Sequence, residues 1–481
     1  MLYDNASMAS YRKGVDWPSV LLYVLLVGFG WCNLYAANYN PEVGVQFSFG
    51  AEYFKQLCWI AVSLCCAGVI MLTDSKLFVE MAWPVYIFSL LLLTVVLFAG
   101  KEVYGARSWL VLGPVAFQPA EFTKIGTALV LARVMSRYGF DFSFRQYVKL
   151  FAIILVPVGF IILQNDTGSA LVYFVFILAM FREGLSPHIL IIGGVCLVAA
   201  VASLLLDPTM VLLAISAVSF IAMHVLLWRQ QQPWGALLCL GAGVASAAGL
   251  WAVMTFALRR EVMDDALILA GMAAASVCLL ILLMIHRLKG VWWLLTYMWV
   301  TLATSFATGY VFEHVLGDHQ RTRINVLFGI EDDPLGAGYN VNQSLIAIGS
   351  GGVAGKGFLG GTQTKLDFVP KQTTDFIFCT VGEEWGFLGS ALLVCAYVAF
   401  FLRILALAER QHSVFSRVYG YCVAGVFFFH FTVNICMTIG LMPVIGIPLP
   451  FFSYGGSSLW GFSVMLFIFL KLDTDRNFLI R

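Results

Sequence analysis

Between His314 and Glu384 the chain carries Arg321, Arg323, Glu331, Asp332, Asp333, Lys356, Lys365, Asp367, Lys371 and Asp375, and no other long stretch of its 481 residues is as polar. Carboxylates interleaved with guanidinium and ammonium groups are the side chains that take up protons and hold anions. A chain that is apolar nearly everywhere else and then admits one such stretch places its work there. On spacing alone, Glu331-Asp332-Asp333 before Pro334 also reads as a solvated acidic turn, so both readings stand at this point.

Two phosphate-binding patterns fail within this stretch. Gly355-Lys356-Gly357-Phe358-Leu359-Gly360 fits G-x-G-x-x-G, but no strand precedes it and no βαβ unit surrounds it. Gly355-Lys356 is followed by Gly357 rather than Ser or Thr, which removes a Walker reading. The glycines are read instead as places for sharp turns and close backbone approach.

Three further polar clusters interrupt the apolar pattern. The first runs from Gly105-Ala106-Arg107-Ser108-Trp109 to Phe117-Gln118-Pro119-Ala120-Glu121-Phe122-Thr123-Lys124. Pro119 suits a helix start, and Glu121 and Lys124 then stand three apart on one face, either as a local ion pair or as charges lining an aqueous cavity. The second, Gln164-Asn165-Asp166-Thr167-Gly168, is a turn with Asp166 as helix N-cap unless the fold brings it to the long loop. The third spans Gly440 to Ser458 and contains Pro443, Pro448 and Pro450 among glycines. Such a stretch is a broken helix or buried loop, tolerated only where protein or a cavity satisfies its backbone.

Everything else is built to span a membrane. Hydrophobic residues make up 60% and charged residues 11% of the chain, against about 25% charged in soluble domains. Mean hydropathy is +0.88. The net charge of +1 and the lack of a basic patch give no sign of nucleic-acid binding. The 11 cysteines contain no Cys-x-x-Cys pair and read as small core residues. A membrane helix needs about 20 apolar residues, and about fourteen segments qualify, those near 120–136, 148–163 and 168–182 being the shortest. The first apolar run is too long for a cleavable signal and is expected to stay as an anchor. Arg12, Lys13, Lys76, the Arg133–Lys149 group, Arg182, Arg229, Arg287, Lys289, Arg403 and Arg410 fall on one side, against Lys101, Arg107, Arg259 and Arg260 on the other. The positive-inside rule then places both termini in the cytoplasm and the long loop outside it.

Taken together these motifs resemble the SEDS family, the shape, elongation, division and sporulation proteins RodA, FtsW and SpoVE. The resemblance rests on Pro443-x-x-Gly446 with Leu449-Pro450 and Ser453-Tyr454-Gly455-Gly456-Ser457-Ser458, and on Asp333-Pro334-Leu335-Gly336-Ala337-Gly338-Tyr339 with Gln343-Ser344. It extends through Gly361-Thr362-Gln363, Thr374-Asp375-Phe376-Ile377-Phe378, Glu383-Glu384 and the Gln118-Pro119-x-Glu121-x-x-Lys124 run. It covers about 95–185 and about 290–475. Val444-Ile445-Gly446-Ile447-Pro448-Leu449 lies nearer the RodA branch, where FtsW usually has Thr-Lys-Gly. The family has about ten membrane helices, so an all-α polytopic bundle is expected, with residues 1–187 and 286–481 as the core, 188–285 as inserted helices and 314–383 as one large extracytoplasmic loop. Two departures are visible. Gln164-Asn165-Asp166-Thr167 replaces the usual Gln-Pro-Asp-Leu, and Pro370-Lys371-Gln372-Thr373-Thr374-Asp375 lacks the usual Glu and His.

The resemblance implies a peptidoglycan glycosyltransferase that polymerises lipid II in the inner (cytoplasmic) membrane of a bacterium, paired with a class B penicillin-binding protein. It assigns Asp333 as the base for an inverting transfer. Arg107, Lys124, Arg321, Arg323 and Lys356 become candidates to stabilise the pyrophosphate, and Glu121, Asp166, Gln363, Asp375 and Ser453 to shape the substrate cavity. A divalent cation, Mg or Mn, would suit a departing pyrophosphate, although no metal-ligand spacing is visible. Two rival functions are a flippase for the lipid-linked precursor and a non-catalytic scaffold for the transpeptidase; the first predicts polar residues through the full membrane depth.

Overall fold

The computed structural model describes residues 14–39, 50–103, 105–113, 115–253, 255, 264–330, 338–366 and 368–476. Glu331, Asp332, Asp333 and Asp367 lie outside the described residues. Every apolar segment expected to span falls on a helix. In chain order these are α1 (Trp17–Ala37), α2 (Glu52–Leu72), α3 (Ala82–Ala99), α4 (Pro119–Met135), α5 (Phe144–Leu163), α6 (Thr167–Arg182), α7 (Pro187–Leu205), α8 (Pro208–Arg229), α9 (Pro233–Ala252), α10 (Asp264–His286) and α11 (Val291–Tyr310). Two helices of the polar stretch follow, α12 (Asp318–Leu327) and α13 (Tyr339–Gly351), and then α14 (Ile377–Glu409), α15 (Val414–Thr438) and α16 (Gly456–Thr474). Among the described residues, 11 helices are long and apolar enough to cross a membrane.

The remaining three expected spans are helical but fall outside these eleven. α4 carries the Glu121 and Lys124 charges, and α6 is interrupted by a tighter turn at Tyr173–Val175. α11 is rich in threonines, whose hydroxyls donate back to carbonyls one turn earlier, as Thr296 does to Trp292 and Thr304 to Val300. One feature is not helical. Between α3 and α4 the chain forms an antiparallel meander of β1 (Lys101–Val103), β2 (Ala106–Leu112) and β3 (Val115–Phe117). Gly105 at φ +81° and Gly113 at φ +62° supply its left-handed turn positions.

The chain divides into two compact units, Ser186–Arg321 and the remainder, Met1–Leu185 with Thr322–Arg481. In the smaller unit α9 and α10 cross where Gly243 meets Gly271. A Cβ on Gly243 would stand 3.0 Å from the Gly271 carbonyl oxygen, so the absence of side chains is what lets the two backbones approach. Met223, Leu227, Cys239, Leu279 and Leu295 pack around this crossing. His188 stacks on Trp293 at 4.1 Å and its Nδ1 meets the Tyr297 hydroxyl at 2.5 Å.

The larger unit has an aromatic core and two polar ends. Phe451 sits among Tyr23, Phe427 and Phe400, with ring centroids 5.1, 5.1 and 5.8 Å away. Its φ of +65° is one that a bulky residue adopts only when its surroundings hold it there. At one end the start of α1 meets the ends of α14 and α16: Arg403 binds Asp16, and Arg410 binds Asp473 at 2.5 Å. Burial acts to raise the Asp16 carboxyl, but hydrogen bonds from Arg403 and Ser19 hold it below its ordinary value. Arg182–Glu409 at 2.7 Å and Arg417–Glu183 at 2.6 Å tie the end of α6 to α14 and the start of α15 at the same end. Helices alternate in direction, so the starts of α4, α6, α14 and α16 gather at the opposite end. The candidate site lies there.

Candidate functional site

The proline-rich segment between α15 and α16 is where the polar clusters meet. Three prolines remove its N–H donors and prevent a helix, so its carbonyls must be held by side chains from elsewhere. Asn434, on α15, donates through Nδ2 to the Ile447 carbonyl at 2.7 Å and to the Asp375 carbonyl at 2.8 Å. His430, one turn earlier on the same face, places Nδ1 3.2 Å from the Pro448 carbonyl. Tyr397 donates to the Pro450 carbonyl at 2.6 Å. Ser453 accepts from the Leu449 N–H at 2.9 Å and donates to the Thr374 carbonyl at 2.6 Å. Ser453 and Asp375, 78 positions apart in sequence, thereby belong to one hydrogen-bonded junction.

The Gln164–Gly168 turn also reaches this segment. Asp166 caps α6 by accepting from the Ser169 N–H at 3.0 Å, and its other oxygen accepts from Gln118 Nε2 at 2.8 Å. A Cβ on Gly168 would fall 2.8 Å from Ile445 Cγ2 and 2.9 Å from its carbonyl. The capping role therefore coexists with a contact to the proline-rich segment rather than to the long loop. Arg107 is drawn in through its backbone, whose N–H donates to the Gln164 carbonyl at 2.9 Å. Its guanidinium, 52% exposed, stands 4.0 Å from Glu102.

Glu121 and Lys124 form a 2.8 Å ion pair at 4% and 1% exposure. The ammonium also stands 2.9 Å from His430 Nε2 and over the Phe462 ring at 5.2 Å. Lys124 is thus enclosed by its partners rather than open to solvent. A charge pair this dry persists only because the two charges compensate each other at close range.

The glycine-rich stretch solves a backbone problem. α14 is broken at Gly386, φ +66° and ψ −161°, which frees backbone groups on either side. Lys356 N–H and Gly357 N–H donate to the Glu383 and Glu384 carbonyls at 3.0 and 2.9 Å, and the Phe387 and Leu388 N–H groups donate to the Gly352 and Val353 carbonyls at 2.9 and 3.1 Å. Gly355, at φ +80°, lies so close that a Cβ would be 2.2 Å from the Glu384 carbonyl oxygen. Beside this crossing the fully buried Glu383 carboxylate accepts from Lys356 Nζ at 2.7 Å, from the Thr362, Gln363 and Thr364 N–H groups at 2.7, 2.9 and 2.9 Å, and from the Thr364 hydroxyl at 2.8 Å. Lys356 and Gln363 are therefore brought together around Glu383.

A cleft of ≈ 240 Å³ opens beside the proline-rich segment, lined by Arg323, Leu327, Val341, Asn342, Met442 and Val444 among others. It is mostly apolar, with Arg323 donating to the Val444 carbonyl at 3.1 Å. Arg321, on the same helix, donates instead to the Glu313 carbonyl at 2.6 Å. α12 and α13 both border the cleft, and the chain between them carries Asp333, which lies outside the described residues. Among the described residues no three His, Cys, Asp or Glu side chains stand together as metal ligands.

Asp375 is buried with its carboxylate 3.5 Å from Lys371 Nζ. Burial pushes its carboxyl up from 3.8, and Lys371, Thr374 and Arg323 offset this only in part. A raised folded value means that, as pH climbs from 3.8 through that value, the native chain holds a proton the unfolded chain has lost, and stability falls across the window. Asp375→Asn stays neutral, so its unfolding temperature relative to the wild type is expected to rise with pH over this range. A difference that stays constant with pH would reject the assignment.

His430 and Asn434 escape sequence reading because each looks like an isolated polar residue in an apolar helix. The available signal is their spacing: four apart on α15, they share one face.

With this geometry in place, comparison with known proteins decides the family. The model of the FtsW/RodA/SpoVE family, described as cell cycle proteins, matches residues 18–215 and 262–477. The chain belongs to this family. Among relatives, the peptidoglycan glycosyltransferase RodA of Treponema pallidum is 31% identical over 446 residues, covering 92% of this chain and 94% of that protein. The peptidoglycan glycosyltransferase MrdB of Escherichia coli K12 is 30% identical over 425 residues, covering 88% and 86%. A solved structure reported for the structural coordination of polymerization and crosslinking by a peptidoglycan synthase complex superposes with a TM-score of 0.60 at 26% identity, covering 96% of this chain and 99% of that one. The rod shape determining protein RodA of Thermus thermophilus shares the fold, with a TM-score of 0.53 at 24% identity over 96% of this chain and 98% of that one. The family match breaks between 215 and 262, leaving α9 and the second half of α8 outside it. As a family member the chain is a multi-pass membrane protein, and its polar clusters converge on the segment that carries the family's proline and glycine signature.

Proposed function

We propose that this protein is a peptidoglycan glycosyltransferase that polymerises lipid II during cell elongation, in the cytoplasmic membrane, with both termini inside and the site outside. The observation that carries this reading is the convergence of Asp375, Ser453, Gly168 and Arg323 on the proline-rich segment, beside an apolar cleft whose two bordering helices are joined by the chain that bears Asp333. Relatives named peptidoglycan glycosyltransferases, aligned over most of this chain, support the reaction class. In this reading the 4-hydroxyl oxygen of an acceptor sugar attacks the donor's anomeric carbon as its bond to undecaprenyl pyrophosphate breaks. Asp333 takes the hydroxyl proton, and one displacement converts the α linkage to β. The pyrophosphate leaves with the bonding electrons and is met by cations: Arg323 at the cleft and the exposed Arg107. Lys124 and Lys356 serve the frame instead, since their ammonium groups are committed to Glu121 and Glu383. A class B penicillin-binding protein is the partner that would crosslink the product.

The test is glycan chain formation from lipid II by the purified protein together with its transpeptidase partner. Long glycan strands are expected. No strands, together with lipid II crossing the bilayer of vesicles that hold the protein, would replace this reading with a flippase.

A further inference from the structure

The Lys124–His430–Pro448 chain fixes the chemical state of a buried histidine. Held as an ammonium by the Glu121 carboxylate at 2.8 Å, Lys124 donates hydrogen bonds and accepts none, so His430 Nε2 at 2.9 Å must accept. The Pro448 carbonyl oxygen only accepts, so Nδ1 at 3.2 Å must carry the imidazole proton. The ring is therefore neutral, with its single proton on Nδ1. An imidazolium would turn an N–H toward the ammonium and break the first contact. The alternative tautomer would lose both.

This arrangement joins α4, α15 and the proline-rich segment through polar contacts. His430 and Asn434 stand one turn apart on α15 and between them hold two successive carbonyls of the proline-rich segment, Pro448 and Ile447. Asn434 extends the grip to the Asp375 carbonyl. His430 extends it to the Glu121–Lys124 pair on α4. Phe462 closes the other side, edge-on to the imidazole at 4.8 Å and beneath the ammonium at 5.2 Å.

We propose that His430 is a positioning residue: as the neutral Nδ1–H tautomer it couples the buried Glu121–Lys124 pair to the proline-rich segment and so sets where that segment stands at the cleft. A displacement of about 1 Å in a positioning element costs on the order of 100-fold in rate, so the coupling is read in turnover more than in substrate binding. The kinetic arm of the test rests on the polymerase reading above; the spectroscopic arm does not.

The first measurement is ¹⁵N NMR of the full chain labelled at histidine, with the His430 signal assigned by its loss in His430→Gln. A protonated Nδ1 and a bare Nε2 at neutral pH are expected. An imidazolium, or a proton on Nε2, would overturn the proposal. The second compares lipid II polymerisation by His430→Gln and His430→Phe with the partner present. Glutamine offers an oxygen toward Lys124 and an N–H toward Pro448, so kcat is expected within a few-fold of wild type. Phenylalanine keeps the volume and loses both contacts, so kcat is expected to fall about 10-fold or more with KM little changed. Equal kcat for His430→Phe and wild type would overturn the coupling. If His430→Phe does not fold, the tautomer decides alone. If wild-type protein makes no glycan, the polymerase reading falls and the tautomer again decides this inference.

Discussion

Replacing Asp333 by alanine is expected to reduce glycan polymerisation by about 10²–10⁴-fold while leaving the protein folded. The expectation follows from the reaction. The attacking hydroxyl is a poor nucleophile until its proton is taken, whereas the pyrophosphate is a good leaving group and needs electrostatic help rather than an acid. In the proposed reaction one carboxylate carries the proton transfer. Asp333→Asn is the sharper variant, since it keeps shape and hydrogen bonding and removes only the basicity. Asp333→Glu keeps the basicity but moves it by one methylene, and is expected to fall between the two. Strand length and rate from lipid II in the presence of the transpeptidase partner provide the readout, with the unfolding temperature as control. Equal polymer from Asp333→Asn and wild type would take Asp333 out of the chemistry and favour the acidic-turn reading of Glu331-Asp332-Asp333.

The largest effect on stability is expected at Glu383. Its carboxylate is fully buried and receives Lys356, three consecutive backbone N–H groups from Thr362 to Thr364, and the Thr364 hydroxyl. Truncation to alanine would take the acceptor from these donors, the buried Thr364 groups among them, a loss of about 3–5 kcal/mol for a broken buried pair. Lys356→Ala removes one charge-assisted contact and leaves the backbone donors satisfied, so its cost is smaller, about 1–3 kcal/mol. Glu383→Gln keeps one acceptor but turns an NH₂ toward N–H groups that need an oxygen, which places it between the two. Unfolding temperatures in detergent, followed by tryptophan fluorescence, give the order wild type, Lys356→Ala, Glu383→Gln, Glu383→Ala. Glu383→Ala melting together with wild type would remove the clamp from the account of the fold. The same ordering is expected in the glycan assay, since the clamp holds the glycine-rich stretch against the break in α14 at Gly386.

The amino-acid sequence determined the class of this protein without help. Runs of about 20 apolar residues specify membrane helices because an unpaired backbone group in lipid is too costly for other structure, so α1 to α11 and α14 to α16 are legible as hydropathy. The four polar clusters were equally legible, since polar residues stand out against an apolar chain. Their meaning was not. Whether Asp166 is a cap or part of the site, whether Glu121 and Lys124 line water or pair with each other, and what Lys356 binds all depend on contacts between positions tens or hundreds of residues apart. Only the tertiary structure put Gly168 against Ile445, Thr374 against Ser453 and Lys124 against His430. The small β1–β3 sheet was hidden for a related reason: its strands are three to seven residues long, too short for a period of two to register. His430 and Asn434 were hidden because a lone polar residue in an apolar helix carries no sign of its partner. Hydrophobic periodicity is a local property of the chain, whereas a buried hydrogen bond belongs to two segments at once, and that is the physical reason the fold could be read in advance and the site could not.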